Sequence, residues 1–361
     1  MELIDLNNLD IKTGIICKNV KEQKIRVDIN RKYIPEAGDV AVFRVIVLGK
    51  HTRIQTDSGR NTFILPDDLI MGAFGNRYAT SQIEGYVPKS YLESYDILGQ
   101  GGVIGQAKSW HLNFDLIGTT TVELIGYVVN VEGQVVNTIK NFGPLQSFDP
   151  VSFLDSPRAI LSLGTSMDSG KTSSAAFLAH GLKKAGKTVA FIKLTGTTYT
   201  KDKNFVQDYG AHDTIDFSDF GFPSTYMCDM EVLLDLYQSL LTKMVNSVNP
   251  DYVIVEIADG LLERETAALL KHAAFISQFQ GALFSAAGSL SAIAGAKQLE
   301  DFGINIIGIS GLVTTSPLLV EEIRQNSKYS VLLMEDLMSE KIIHIIDKKN
   351  ILNNSDKVEI Y

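Results

Sequence analysis

Ala159-Ile-Leu-Ser-Leu-Gly-Thr-Ser-Met-Asp-Ser-Gly-Lys-Thr-Ser173 carries the strongest structural signal in the chain. Its first five residues form an apolar run of strand length, and a glycine-bearing loop follows. From Lys171 onward, Ala175, Ala176, Leu178, Ala179 and Leu182 recur on one face at helical spacing, and Gly186 stops the pattern. A strand, a loop and a helix joined through Gly170-Lys171-Thr172 make a phosphate-binding loop. Main-chain N–H groups across Gly164, Thr165, Ser166, Met167, Asp168, Ser169, Gly170, Lys171, Thr172 and Ser173 would surround phosphates. Lys171 would reach their outer oxygens, and the Thr172 hydroxyl would hold Mg²⁺. The general pattern has glycine five places before Gly170; here that place is Thr165, and the glycine stands one earlier, at 164. An ordinary turn with an exposed lysine would need strand, loop length, Gly-Lys-Thr and amphipathic helix to coincide by chance.

Outward from this loop, residues 151–361 alternate apolar strands with helical stretches, the grammar of a mostly parallel, doubly wound α/β sheet. Strands are expected at 159–163, 188–194, 252–257, 282–286, 304–309 and 330–333, and helices at 171–185, 230–246, 263–272, 289–299 and 318–326. Residues 1–150 read differently. Short β-branched runs such as 39–48 and 119–130 are separated by turn clusters at Glu36-Ala-Gly-Asp39, Asp57-Ser-Gly-Arg60 and Gly99-Gln-Gly-Gly102, which predicts a small mainly-β domain, either barrel or sandwich. Between the halves, Asn141-Phe-Gly-Pro-Leu-Gln-Ser-Phe-Asp-Pro150 has linker composition.

Composition narrows the function classes. The 361 residues carry 33 basic and 42 acidic side chains, a net charge of −9, split as −3 over 1–155 and −6 over the rest. Neither half has the basic balance that nucleic acid selects, so no nucleic-acid partner is expected. Cys17 and Cys228 form no metal-binding pair, and the start Met1-Glu-Leu-Ile-Asp5 lacks a basic or apolar leader. A cytoplasmic location is the expectation. The span from His272 to Ala296 has no Asp, Glu, Lys or Arg, but Gln278, Gln280, four serines and three glycines break it, so it reads as buried strand and helix and not as a membrane segment.

Gly164-Thr-Ser-Met-Asp-Ser-Gly-Lys-Thr172 resembles the Gly-Thr-x-x-x-x-Gly-Lys-Thr loop of dethiobiotin synthetase and cobyrinic acid diamide synthase, P-loop NTPases that use ATP. Phe191-Ile-Lys-Leu-Thr-Gly196 is similar to the second strand of that family, where the lysine faces substrate and γ-phosphate. Asp251-Tyr-Val-Ile-Val-Glu256 is similar to the strand whose terminal glutamate helps hold Mg²⁺. The resemblance covers about residues 158–335, and the chain also resembles a P-loop family that includes a D-glutamate N-acyltransferase. It implies Lys171, Lys193 and Glu256 as catalytic residues, with Thr172 and Glu256 on the metal. Dethiobiotin synthetase has a metal-binding Asp at the position of Ser166; here an Asp stands two places later, which makes Asp168 a further metal candidate. Related proteins bind the base after the fifth strand, so Thr314 and Ser316 become base-contact candidates, with a Ser-Pro helix start as the alternative explanation.

Thr195, Gly196 and Thr197, with Asp213 from the Asp213/Asp216/Asp219 series, form a polar and glycine-rich candidate substrate loop; a solvated acidic loop is the alternative. Together these features predict a Mg²⁺-dependent ATP-using ligase or transferase acting on a small carboxylate or amine. A nucleotide-dependent switch with weak hydrolysis is the competing expectation. The partners expected are a nucleotide and one small molecule, with a homodimer left open and the role of residues 1–150 unassigned.

Overall fold

Five strands of the first half close on themselves. They are β1 (Val40–Val47), β2 (Leu69–Phe74), β3 (Tyr95–Gly99), β4 (Val103–Trp110) and β5 (Thr121–Val129), seen in a computed structural model that describes residues 3–7, 9–152 and 157–347. β1 pairs antiparallel with β2 and β5, β5 with β3, and β3 with β4; β4 then returns parallel to β2 and completes the ring. The open choice between barrel and sandwich falls to a barrel, because a closed ring leaves no unpaired edge among these five strands. Its interior is filled by Phe43, Phe74, Tyr95 and Tyr127, in ring contacts between 5.5 and 6.0 Å.

The barrel's compact unit comprises residues Met1–Pro144 together with Gly196–Thr200 and Phe217–Met227. A division near residue 150 assigned those last two segments to the second half. Their main-chain groups find partners in the first unit. The Gln55 side chain donates to the Thr200 hydroxyl at 2.7 Å and accepts from the Thr200 N–H at 3.0 Å, and the Thr138 hydroxyl donates to the Gly221 carbonyl at 2.6 Å. A connection of this kind satisfies its buried backbone groups wherever it packs, and composition does not reveal where that is.

The second unit holds a six-stranded sheet: β6 (Arg158–Gly164), β7 (Val189–Lys193), β8 (Asp213–Asp216), β9 (Tyr252–Glu256), β10 (Phe279–Ser285) and β11 (Ile306–Ser310). The order is β8-β7-β9-β6-β10-β11, and every pair is parallel. The helices named here are α1 (Lys171–Lys184), α2 (Lys201–Tyr209), α3 (Met230–Val248), α4 (Arg264–Leu269), α5 (Ser289–Asp301) and α6 (Pro317–Asn326). α1 buries Ala175, Ala176, Leu178, Ala179 and Leu182 against Ile160, Phe191 and Ile254 of the sheet, which is the face its spacing predicted. The uncharged span after His272 becomes β10 and the start of α5. Among the described residues, no helix is long and apolar enough to cross a membrane.

Two strand expectations change. The run 330–333 makes a bridge at Val331 beside Ile309 and goes no further, because a helical turn at Met334–Leu337 begins three residues later. Residues 213–216, read as loop, form the edge strand β8. Only Ile215 and Asp216 of it are buried, so it lacks the apolar run that marked the other five strands.

Candidate functional site

The sheet order reverses around β6, and the loop after β6 lies at that switch point, on the edge formed by the strand C-termini. Gly170 begins α1 with φ +98°, and a Cβ there would lie 2.9 Å from the Cα of Gly311. The displaced glycine also has its reason, since a Cβ on Gly164 would stand 2.2 Å from Ser169 Oγ and 2.7 Å from Lys171 Cγ. At Thr165 the loop is anchored by its N–H, which donates to the Ser285 carbonyl of β10 at 3.0 Å. The loop is therefore tight at 164, and 165 accepts a side chain.

Lys171 is buried, and its ammonium is turned onto main-chain oxygens: it donates to the carbonyls of Ser166, at 2.8 Å, and Asp259. Burial lowers its pKa, against the attraction of Glu256 and Asp259. The next residue, Thr172, donates its hydroxyl to Glu256 Oε1 at 3.2 Å. Lys193 and Glu256 are register partners on adjacent strands, which puts them side by side at the sheet end, Nζ to Oε1 3.6 Å apart. Burial raises the pKa of Glu256, with Lys193 working against it. Its other oxygen, Oε2, is buried without a hydrogen-bond partner.

Asp202, near the start of α2, completes the cluster by pairing with Lys193. Burial opposes charge on both of them, yet their mutual attraction prevails: the lysine's pKa is raised and the aspartate's lowered. The sequence reading missed Asp202. The one available signal was a carboxylate in the first turn of a helix nine residues after Lys193, and that helix was itself overlooked.

The remaining candidates are placed as follows. Asp168 is exposed at the loop tip with φ +60°, and no hydrogen bond among the described residues joins it to Thr172 or Glu256. Thr195 is buried and ties β7 to β9, donating to the Ala258 carbonyl at 2.7 Å and accepting from its N–H at 2.8 Å. Gly196 and Thr197 lie in the barrel's unit, where they pair with Thr225 and Ser224. The carboxylate series at 213, 216 and 219 does not gather into one loop. Asp213 in β8 accepts from the Ser247 hydroxyl, Asp216 pairs with Lys203, and Asp219 pairs with Lys18 in the first unit. The Thr314 hydroxyl donates to the Gly311 carbonyl at 2.8 Å, and Ser316 caps α6 by accepting from the Leu319 N–H. For Ser316 the helix-start explanation is the one its geometry displays.

Beyond Gly260, Glu263 caps α4 and shares a hydrogen bond with the buried Glu265; burial and that neighbour push its carboxyl up to about 8.

The residues present fit a nucleotide's phosphates and a divalent cation. A glycine-tight loop ends at a helix N-terminus with a lysine turned inward, and a buried carboxylate oxygen lacks a partner beside a threonine hydroxyl. Among the described residues no group of three or more His, Cys, Asp or Glu side chains gathers for a metal. The second unit has a P-loop NTPase fold.

No family model matches the chain, and no curated protein matches it in sequence. Solved structures match over part of it. The signal recognition particle receptor FtsY from Elizabethkingia anophelis is 17% identical at a TM-score of 0.34, covering 54% of this chain and 66% of that one, just under two thirds of its length. A ParA family ATPase from Chlorobium tepidum TLS is 12% identical at 0.32, covering 54% and 99%. HypB from Helicobacter pylori, solved in complex with nickel, is 16% identical at 0.26, covering 56% and 88%. Likenesses this low in identity and TM-score say nothing about activity, and the fold stands on the sheet order and the loop after β6.

Proposed function

We propose that the chain is a Mg²⁺-dependent ATP-using ligase or transferase acting on a small-molecule carboxylate or amine, the chemistry implied by its likeness to dethiobiotin synthetase. The observation that carries this reading is the convergence of Lys171, Thr172, Lys193 and Glu256 at the C-terminal ends of three adjacent parallel strands. A bound magnesium nucleotide supplies the phosphoryl group that activates a carboxylate or is attacked directly. Lys171 trades the carbonyls of Ser166 and Asp259 for phosphate oxygens. Thr172 and Glu256 hold the metal, and the loop's N–H groups with the N-terminus of α1 orient the phosphates. Lys193, kept charged by Asp202, offsets the negative charge that builds during transfer.

Incubation with ATP, Mg²⁺ and a fractionated metabolite pool should give substrate-dependent ADP release. Turnover that no fraction raises, together with nucleotide-dependent capture of a partner, would replace the enzyme with the switch. Lys171→Ala is expected to abolish nucleotide binding, and retained affinity would remove the nucleotide site. Competition between ATP and GTP for the native chain decides the base.

A further inference from the structure

We propose that Lys193 is a resident counter-ion that makes metal binding at Glu256 depend on the nucleotide, a reading that rests on the nucleotide site proposed above. Four charged side chains decide it. Glu256 is sunk at the end of β9, with Oε1 taking the Thr172 hydroxyl at 3.2 Å and facing the Lys193 ammonium at 3.6 Å. Lys193 is held in turn by Asp202. Lys171 stands on the carbonyls of Ser166 and Asp259 and contributes the second positive charge. With these four ionised their charges cancel, and the Asp259 carboxylate, which also attracts Lys171, adds one negative charge.

A divalent cation that approached Glu256 by itself would meet an ammonium already 3.6 Å from the same carboxylate. It would bring two further positive charges into a buried place that already holds two lysines and where screening is weak. A polyphosphate arriving with the metal changes this balance. Its oxygens offer both lysines a new partner, and Glu256 is released to the metal with Thr172 beside it. Metal and nucleotide then favour each other's binding, and by linkage each raises the other's affinity by the same factor. The partnerless Oε2 of Glu256 fits this exchange, since it is a buried acceptor that Lys193 and Thr172 leave unused.

The test uses the full chain and Mn²⁺ as probe, read by electron paramagnetic resonance with and without ATP, alongside ATP affinity with and without Mn²⁺. In the native chain ATP should raise Mn²⁺ affinity steeply. Lys193→Met should bind Mn²⁺ in the absence of ATP about tenfold more tightly than the native chain, and the enhancement by ATP should shrink correspondingly. Lys193→Arg keeps the charge and should keep the native coupling. Unchanged Mn²⁺ affinity in Lys193→Met without ATP overturns the inference, as does a native chain that binds Mn²⁺ equally with and without ATP. A native chain that binds no ATP overturns the nucleotide site and this inference with it, a result distinguishable from unaltered Mn²⁺ binding in the variant. Should Lys193→Met fail to fold because Asp202 loses its partner, the double variant Lys193→Met/Asp202→Asn removes both charges of that pair. It leaves Glu256 without the ammonium and carries the same expectation.

Discussion

At Glu256, burial and charge pull in opposite directions. Burial favours the neutral acid, while Lys193, Lys171 and the Thr172 hydroxyl favour the carboxylate. Glu256→Gln keeps the shape and removes the buried charge, so the fold should survive with a melting temperature close to native. Under the proposed function, Mg²⁺-dependent turnover should fall by about 100-fold or more; near-native ADP release would take Glu256 out of the metal's coordination. Lys193→Ala should preserve ATP binding measured without metal and lose turnover with it, which a paired binding and product assay would show. Both residues were legible in the sequence because each ends an apolar run of strand length. Asp202 was not, because its role depends on where α2 begins in space relative to β7. Nor could the sequence show that Asp213, Asp216 and Asp219 each take a different partner.

The elements divide in the same way. The strand, loop and helix around Gly164–Ser173 were readable because each piece carries a local signal and the signals agree. The edge strand β8 was not, since an edge is half exposed and its residues do not form an apolar run. At the start of α6, Ser316→Ala should cost about 1 kcal/mol through the lost cap. Unchanged ATP affinity in the same variant would confine Ser316 to capping, whereas a weakened affinity would restore it to the base. In the first unit, the glycines of the turn after β3 have a packing explanation. A Cβ on Gly101 would lie 2.2 Å from the Thr198 carbonyl oxygen. Gly101→Ala should therefore destabilise the chain by about 1–3 kcal/mol, read as a lower denaturant midpoint. A midpoint equal to that of the native chain would show that the turn can yield.

For the whole molecule, a pH response is built into the barrel's unit. His51 is buried; burial first, and then the positive charge of the Arg77 guanidinium 3.2 Å from its Nε2, push its pKa down to about 3. The folded chain therefore binds fewer protons at His51 than the unfolded chain between about 3 and 6.5. The stability this represents is fully present above pH 6.5 and drains away as pH falls through that window, at no more than about 1.4 kcal/mol per pH unit. Unfolding of native and His51→Gln chains compared from pH 7 to pH 4 should show a shallower loss in the variant; equal slopes would refute the assignment. Strand length, helical spacing and glycine placement are local properties, and they made one half legible as a parallel α/β sheet carrying a phosphate-binding loop and the other as mainly β. It took the three-dimensional arrangement to close the β half into a barrel, to pack Gly196–Thr200 and Phe217–Met227 in its unit, and to bring Asp202 to the charge cluster. Those outcomes rest on pairing between residues far apart in the chain, and no local pattern encodes which distant backbone group or charge a residue will meet.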